Sequence, residues 1–375
     1  MKKIALVANT DWYLYNFRLS LANYLREQGY EVTLISPPGD YVRELQRQGF
    51  SWISWPVSRQ GISPPAELPA LFGLMKIYRQ LKPDLVHHHT IKPVLYGSLA
   101  AQWCGVGGVV NSITGRGYVF GSRQLRARIA YQAVKHLYRL AFKPPNAVAV
   151  FENRFDQQVF IDQGFVPESQ TRFIAGVGVD QQRFRPSPLP AGIPIVTMVG
   201  RLLWDKGVHV FVDAARLLRA DGIARFILVG APDPGNPGSI DPSQINAWVS
   251  EGIIEWWGWQ DDTHTVYSQS HMVVLPTSYG EGIPVVLLEA AASGRAVVAS
   301  DTPGCREAVR PGYNGLLVPT DDAPAVAGAL RTLIADIDLC ARMGANGRQL
   351  VLEQFTVGQV NAATLEVYRQ LISGD

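Results

Sequence analysis

The chain of 375 residues is 47% apolar and 18% charged, a globular composition with length for about two domains. Cys104, Cys305 and Cys340 share no close spacing, so neither a disulfide framework nor a zinc site is suggested, and a reducing compartment fits. The net charge of +2 hides an asymmetry: Leu85 to Phe151 contains no Asp or Glu, while Lys92, Arg116, Arg123, Arg126, Arg128, Lys135, Arg139 and Lys143 carry +8, the mark of an anionic partner.

Ile4 to Ala8 reads as a first strand, and the apolar run is too short for a secretory h-region. A loop, Asn9-Thr10-Asp11-Trp12-Tyr13-Leu14-Tyr15-Asn16, leads into a helix from Phe17 to Gln28 closed by Gly29. The loop has no glycine, so the G-x-G-x-x-G of a dinucleotide-binding turn is absent; Gly176-Val177-Gly178 lies elsewhere and lacks the third glycine. Its Trp, Tyr and Asn suit stacking on, and hydrogen bonding to, a sugar. Arg18 either reaches a phosphate or lies on a solvated helix face. A strand (Tyr30 to Ser36), a short helix (Tyr41 to Gln48), a strand (Ser51 to Val57), a helix (Pro64 to Leu81) and a strand (Asp84 to His88) follow. This alternation predicts a doubly wound parallel sheet, which binds ligands at its carboxyl edge.

His87 and His89 share a face of the extended chain, but no Cys or acidic residue is near to complete a metal site. They read as histidines packed at a strand end. Pro93 to Gly115 is uncharged but broken by glycines and polar residues, so it reads as a helix followed by a strand, not as a membrane span. After the strand at Gly108 to Val110, the loop through Thr114, Gly115, Arg116, Gly117 and Tyr118 lets backbone approach a ligand or is simply a tight turn. A helix from Gln124 to Ala141 places Leu125, Ile129, Ala133, Leu137 and Leu140 on its core stripe. Arg128, Lys135 and Arg139 form a separate stripe beside Tyr131 and Tyr138, suited to an anionic bilayer surface. No nucleic-acid motif accompanies the charge, so nucleic acid is not the expected partner.

Ala147 to Phe151 is a strand, and the Pro-rich piece from Phe184 to Pro190 reads as a linker. The expected domains are 1–186 and 187–355, with a closing helix over 356–375 returning to the first. The second half repeats the alternation: strands at Ile195 to Val199, Arg225 to Val229, Ile253 to Trp259, Met272 to Pro276 and Ala296 to Ser300, with a long Gly/Pro loop from Gly230 to Pro242. Trp259 is expected in the core.

Two turns in this half carry chemistry. The strand ending at Val199 runs into Gly200-Arg201-Leu202-Leu203-Trp204-Asp205-Lys206-Gly207, which sets two cations beside a glycine-bounded turn suited to a diphosphate. The strand ending at Pro276 runs into Tyr279-Gly280-Glu281-Gly282-Ile283-Pro284-Val285, with Glu289 further along the helix and Pro284 as its first residue. At 1.5 Å per residue Glu289 lies roughly 7–8 Å into the helix, the span of a nucleotide sugar laid along a helix start.

Together these stretches resemble glycosyltransferase family 4, through its G-R-L-x-x-x-K-G and E-x7-E motifs. The resemblance covers essentially the whole chain and is densest from Ile195 to Pro319. It implies an α/β protein of GT-B fold, two Rossmann-like doubly wound parallel-sheet domains facing a cleft, and retaining transfer without a metal. The donor implied is a nucleotide sugar, UDP-linked. In that reading Arg201, Lys206 and Glu281 are catalytic, and Gly200, Gly282, Ile283, Val285 and Glu289 bind donor, Glu289 through the ribose. Val86 to Thr90 resembles the family's V-H-x-H-T. The G-x-G-Y form at Gly115 to Tyr118 resembles enzymes extending undecaprenyl-diphosphate-linked saccharides, although Thr114 or Gly115 stands where many relatives carry a His. Asn16, Arg18, Thr114, Arg116 and Tyr118 are the acceptor-side residues this implies. The acceptor is then a polyprenyl-diphosphate-linked saccharide, and the protein sits peripherally on the cytoplasmic face of the cell membrane. A GT-B sugar-nucleotide enzyme such as an epimerase, and a non-catalytic nucleotide-sugar-binding subunit, are the alternatives.

Overall fold

The computed structural model describes residues 1–58, 64–115 and 134–373. The apolar runs form β1 (Lys3–Val7), β2 (Glu31–Ser36), β3 (Ser51–Ser54), β4 (Leu85–His89), β5 (Gly108–Ile113), β6 (Ala147–Phe151) and β7 (Thr171–Phe173). These build one sheet in the order β3-β2-β1-β4-β5-β6-β7. A second sheet contains β8 (Ile195–Val199), β9 (Arg225–Val229), β10 (Glu255–Trp256), β11 (Met272–Leu275), β12 (Ala296–Ser300) and β13 (Gly315–Val318), ordered β10-β9-β8-β11-β12-β13. Every pairing in both sheets is parallel. Each order reverses once, between β1 and β4 and between β8 and β11, and the crevice at such a reversal is where open α/β sheets take ligands.

The chain divides into Met1–Val177 with Gly358–Asp375, and Gly178–Val357. The break therefore falls earlier than the Pro-rich piece. That piece is held to the second unit: Arg348 donates to the carbonyls of Phe184 and Gln181, and the buried Arg295 to those of Ser187 and Pro188. In the first unit the closing helix Val357–Ser373 packs on the same cluster as Ile4, Leu6 and Leu85, through Val360, Leu365, Val367 and Tyr368. Tyr368 Oη lies 2.5 Å from His87 Nδ1, and Asn361 donates to Ser20 Oγ at 2.9 Å.

Four local expectations change. The segment after β1 is not a loop: Thr10 caps a helical turn at Asp11–Tyr13, accepting from the Tyr13 N–H, and a π-helical turn Leu14–Arg18 continues it. A second π turn, Pro93–Gly97, follows β4, so both strands flanking the first reversal feed widened helix starts. A strand beyond those read from the sequence, β13, follows Ala296–Ser300, and the helices Ala323–Ala335 and Ile337–Gln354 come after it. Four residues are too few for a periodic signal, and Gly315 fits there because a Cβ would overlap the Val297 carbonyl. Trp259 is 52% exposed, its indole N–H donating to Asp261.

Over 134–141 the helix buries Val134, Tyr138 and Ala141, one position round from the expected stripe. An aromatic cluster decides this: Tyr138 packs edge-on against Phe160, centroids 5.1 Å apart, with Phe142 and Phe165 beside it. Tyr138 is therefore core and not a flank of a membrane-facing stripe.

Candidate active site

In the second unit the loops after β8 and β11 are neighbours because their strands pair, Met272 opposite Val196. After β8 the chain turns through a 3-10 segment, Trp204–Lys206, closed by Gly207 at φ 79. Gly207 is required twice: its backbone is left-handed, and a Cβ there would overlap the Pro276 carbonyl. The Asp205 carbonyl accepts from the amides of Ser278 and Tyr279 at 3.0 and 3.2 Å and from Thr277 Oγ1 at 3.1 Å. These bonds stitch the two loops together.

The stitch brings Lys206 to Glu281. Lys206 Nζ lies 2.5 Å from Glu281 Oε2, with side chains 14% and 19% exposed, and 6.0 Å from the Tyr279 ring centroid. Arg201 Nη1 pairs with Asp233 Oδ2 at 3.1 Å. Asp233 comes from the Gly/Pro loop after β9, which folds back as Leu202 N–H bonds the Ala231 carbonyl and Ile240 N–H the Leu202 carbonyl. Asp205 holds one buried oxygen, Oδ1, without a partner, and burial raises its carboxyl above the usual range against the pull of Lys206 and Arg201. Asp205, Asp233 and Thr277 were not read from the sequence. Their signal is acidic or hydroxyl side chains in the loops at strand ends, which only the strand order makes specific.

Glu281, Gly282 and Ile283 precede the helix Val285–Ala292, for which Pro284 is the N-cap and not the first helical residue. The Gly282 carbonyl is packed against Gly304, where a Cβ would overlap it, so the helix start Pro303–Ala308 braces the Glu281 loop. As the first residues of the helix Val285–Ala292, Val285 and Val286 have amides without an intrahelical acceptor, the feature by which a helix start binds anions. Glu289 Oε2 accepts from Tyr267 Oη at 2.9 Å, and Thr263 Oγ1 lies 3.5 Å away. Burial pushes the Glu289 carboxyl up to about 7. Gly200, at φ 154, is approached by Gly230, where a Cβ would overlap the Gly200 carbonyl, so the β8 and β9 loops meet backbone to backbone.

The first unit's reversal is built differently. Arg18 is buried: its guanidinium donates to Tyr13 Oη at 2.9 Å and lies 3.9 Å from Glu152, with side chains 6% and 9% exposed. It is not a solvated surface arginine, because the π turn carries it inward. Asn16 donates to the Trp12 carbonyl at 2.9 Å. His87 bonds Ser112 Oγ at 2.7 Å as well as Tyr368, and His88 bonds Asn111 Oδ1 at 2.8 Å and Tyr78 Oη at 2.9 Å. His89 lies against His87, ring centroids 3.9 Å apart and planes tilted by 45°, with neither His89 ring nitrogen hydrogen-bonded. Burial keeps all three imidazoles well toward the neutral form. Gly97 leaves room for the His88 ring, which a Cβ would strike. Among the described residues no group of three or more His, Cys, Asp or Glu is placed to hold a metal ion.

Thr114 is half-buried just past β5, while Arg116, Tyr118 and Arg128 lie outside the described residues. Lys135 Nζ stands 5.9 Å from the Phe165 ring centroid, and Arg139 donates to the carbonyls of Gly164 and Gln163 beyond the helix Arg154–Asp162. Folding also sets an acid against the acid-free block: Lys92 pairs with Glu67 at 2.6 Å. No described helix is long and apolar enough to cross a membrane.

Two units of Rossmann type, one carrying a paired lysine and glutamate at its strand-order reversal, define a GT-B glycosyltransferase fold. The same fold occurs in sucrose-phosphate synthase from Thermosynechococcus elongatus, at TM-score 0.81 and 22% identity over the whole of both chains. Anabaena HepE in complex with UDP gives TM-score 0.80 at 19% identity, over 99% of this chain and 100% of that one. The family model described as "Glycosyl transferases group 1" matches residues 193–336, and "Glycosyl transferase 4-like" matches residues 3–150. The chain thus carries two glycosyltransferase domains and is a glycosyltransferase. A Campylobacter jejuni N,N'-diacetylbacillosaminyl-diphospho-undecaprenol alpha-1,3-N-acetylgalactosaminyltransferase is 28% identical over 99% of both chains. An Escherichia coli UDP-Gal:alpha-D-GlcNAc-diphosphoundecaprenol alpha-1,3-galactosyltransferase is 25% identical over 91% of this chain and 89% of its own.

Proposed function

We propose that the protein transfers a hexose or N-acetylhexosamine, with retention, from a UDP-sugar to a saccharide carried on diphospho-undecaprenol. The observation that carries this reading is the Lys206–Glu281 pair beside Arg201 at the β8/β11 reversal. Lys206 and Arg201 would neutralise the diphosphate as its charge develops, in place of a metal ion. Amides at Gly282, Ile283 and Val285, and the backbone at Gly200, would line the phosphates. Glu281 would orient the hexose, and Glu289 would bond ribose hydroxyls through the oxygen not engaged by Tyr267. The acceptor hydroxyl oxygen would bond the anomeric carbon on the face the leaving group vacates, its proton passing to the departing phosphate oxygen.

The acceptor reading rests on the two relatives named above, both of which act on diphospho-undecaprenol sugars. Asn16, Arg18 and Thr114, with Arg116 and Tyr118, would serve the acceptor from the first unit. Arg18 would do so from beneath Tyr13. Lys135 and Arg139, with Arg128, would face an anionic membrane surface, placing the protein peripherally at the cytoplasmic side.

The test is UDP release from a panel of UDP-sugars, with and without a lipid extract containing polyprenyl-diphosphate saccharides. Release from one donor that depends on the extract is expected. Release only from a GDP-sugar would sink the donor base, and release unaffected by lipid would sink the acceptor. Binding without turnover for every donor would point to a nucleotide-sugar-binding subunit instead.

A further inference from the structure

Both cations of the candidate donor site are already matched by carboxylates: Arg201 by Asp233 at 3.1 Å and Lys206 by Glu281 at 2.5 Å. An incoming diphosphate therefore meets a lysine whose charge is taken. The backbones of the two partners are held together, because the Asp205 carbonyl ties the lysine turn to Ser278 and Tyr279, and the Glu281 N–H bonds the Tyr279 carbonyl at 3.0 Å. The side chains are what is free to exchange partners.

We infer that the Lys206–Glu281 pair makes the site distinguish an intact nucleotide sugar from the nucleoside diphosphate that remains after transfer. The inference rests on the donor-site reading and assigns it a specificity device. When a hexose is present, its hydroxyls offer Glu281 hydrogen bonds that replace the ammonium, and Lys206 turns to the phosphates. When the hexose is gone, no ligand group takes the place of the ammonium. Glu281 then either keeps Lys206 from the phosphates or gives it up and stays partly buried away from that counter-charge, which is costly. The product is held less tightly than its phosphates alone would allow, and its release is eased.

The experiment is calorimetric titration of the full chain with UDP, GDP and the matching nucleotide sugars, for the unmutated protein, Glu281→Gln, Lys206→Met and the double variant. Glu281→Gln keeps the shape of the side chain, and an unchanged thermal melt checks the fold. It is expected to bind the nucleoside diphosphate about fivefold more tightly, the scale of a partly exposed ion pair, while binding the nucleotide sugar more weakly. In the Lys206→Met background the same change should leave nucleoside diphosphate binding unaltered. Weakening of both ligands by Glu281→Gln overturns the inference and leaves the donor-site reading in place. Failure of the unmutated protein to bind any nucleoside diphosphate removes the donor site, and the inference with it.

Discussion

The two units repeat one strand order, yet their reversal points are chemically opposite. At β8/β11 the loops present partly exposed charges, Lys206, Arg201 and Glu281, on a turn fixed by Gly207 and the Asp205 carbonyl. At β1/β4 the charge is buried in the Arg18–Glu152 pair, and three neutral histidines and a ring of tyrosines fill the rest. The same scaffold thus yields a site whose side chains can exchange partners with an anion and another whose charges are paired inside the protein. What separates them is desolvation: a charge left partly in water can be lent to a ligand, whereas a buried one holds the fold.

Substitutions at equivalent places should therefore split into losses of activity and losses of stability. The largest effect expected is at Lys206. Lys206→Ala should cut donor turnover by at least about a hundredfold with only a small drop in melting temperature, since it removes charge stabilisation of the leaving diphosphate and leaves Glu281 partly in water. Nucleotide-release assays and circular dichroism on one preparation check this, and retained turnover would break the contrast. Arg18→Ala should act in the opposite sense, lowering stability by roughly 3 kcal/mol in urea unfolding because the buried Glu152 loses the guanidinium charge beside it.

A smaller effect concerns pH. The Glu289 carboxyl is pushed up to about 7 from a reference of 4.5 by burial. The native protein then holds this proton over a range where the unfolded chain has lost it. Stability should fall as pH rises from 4.5 to about 7 and level off above. Glu289→Gln should flatten that part of the profile in denaturant titrations across the range; an unchanged slope would remove Glu289 as its source.

The smallest effect is at Arg139, an exposed side chain whose bonds go to the backbone carbonyls of Gly164 and Gln163. Arg139→Ala should cost well under about 1 kcal/mol, the usual scale of an exposed side-chain change. Vesicle co-sedimentation on the same variant tests the membrane face: an unchanged partition into anionic vesicles would remove Arg139 from it.

Several features were legible in the sequence because they are local. Strand-helix alternation foretold both parallel sheets, since a buried parallel strand is a short continuous apolar run and its crossover helix has its own period. The glycine-bounded cation turn and the Glu281 to Glu289 helix start were also visible, since strand ends, glycines and charges are written in order along the chain.

Other features were decided by groups distant in sequence. Periodicity allowed two core faces for the helix over 134–141, and the aromatic cluster of Tyr138 and Phe160 chose between them. The linker's allegiance followed from Arg295 and Arg348, whose guanidinium groups reach backbone carbonyls far away in the chain. The acid-free block was a property of the order of residues, and folding set Glu67 against its Lys92. The counter-charges of the site, Asp233 for Arg201 and Glu281 for Lys206, came together only when the strand order placed the loops after β8, β9 and β11 side by side. Sequence determines which charges exist and on which kind of element they ride. Tertiary structure decides which are desolvated and with whom they pair, because Coulomb attraction and burial depend on distance through space and not along the chain.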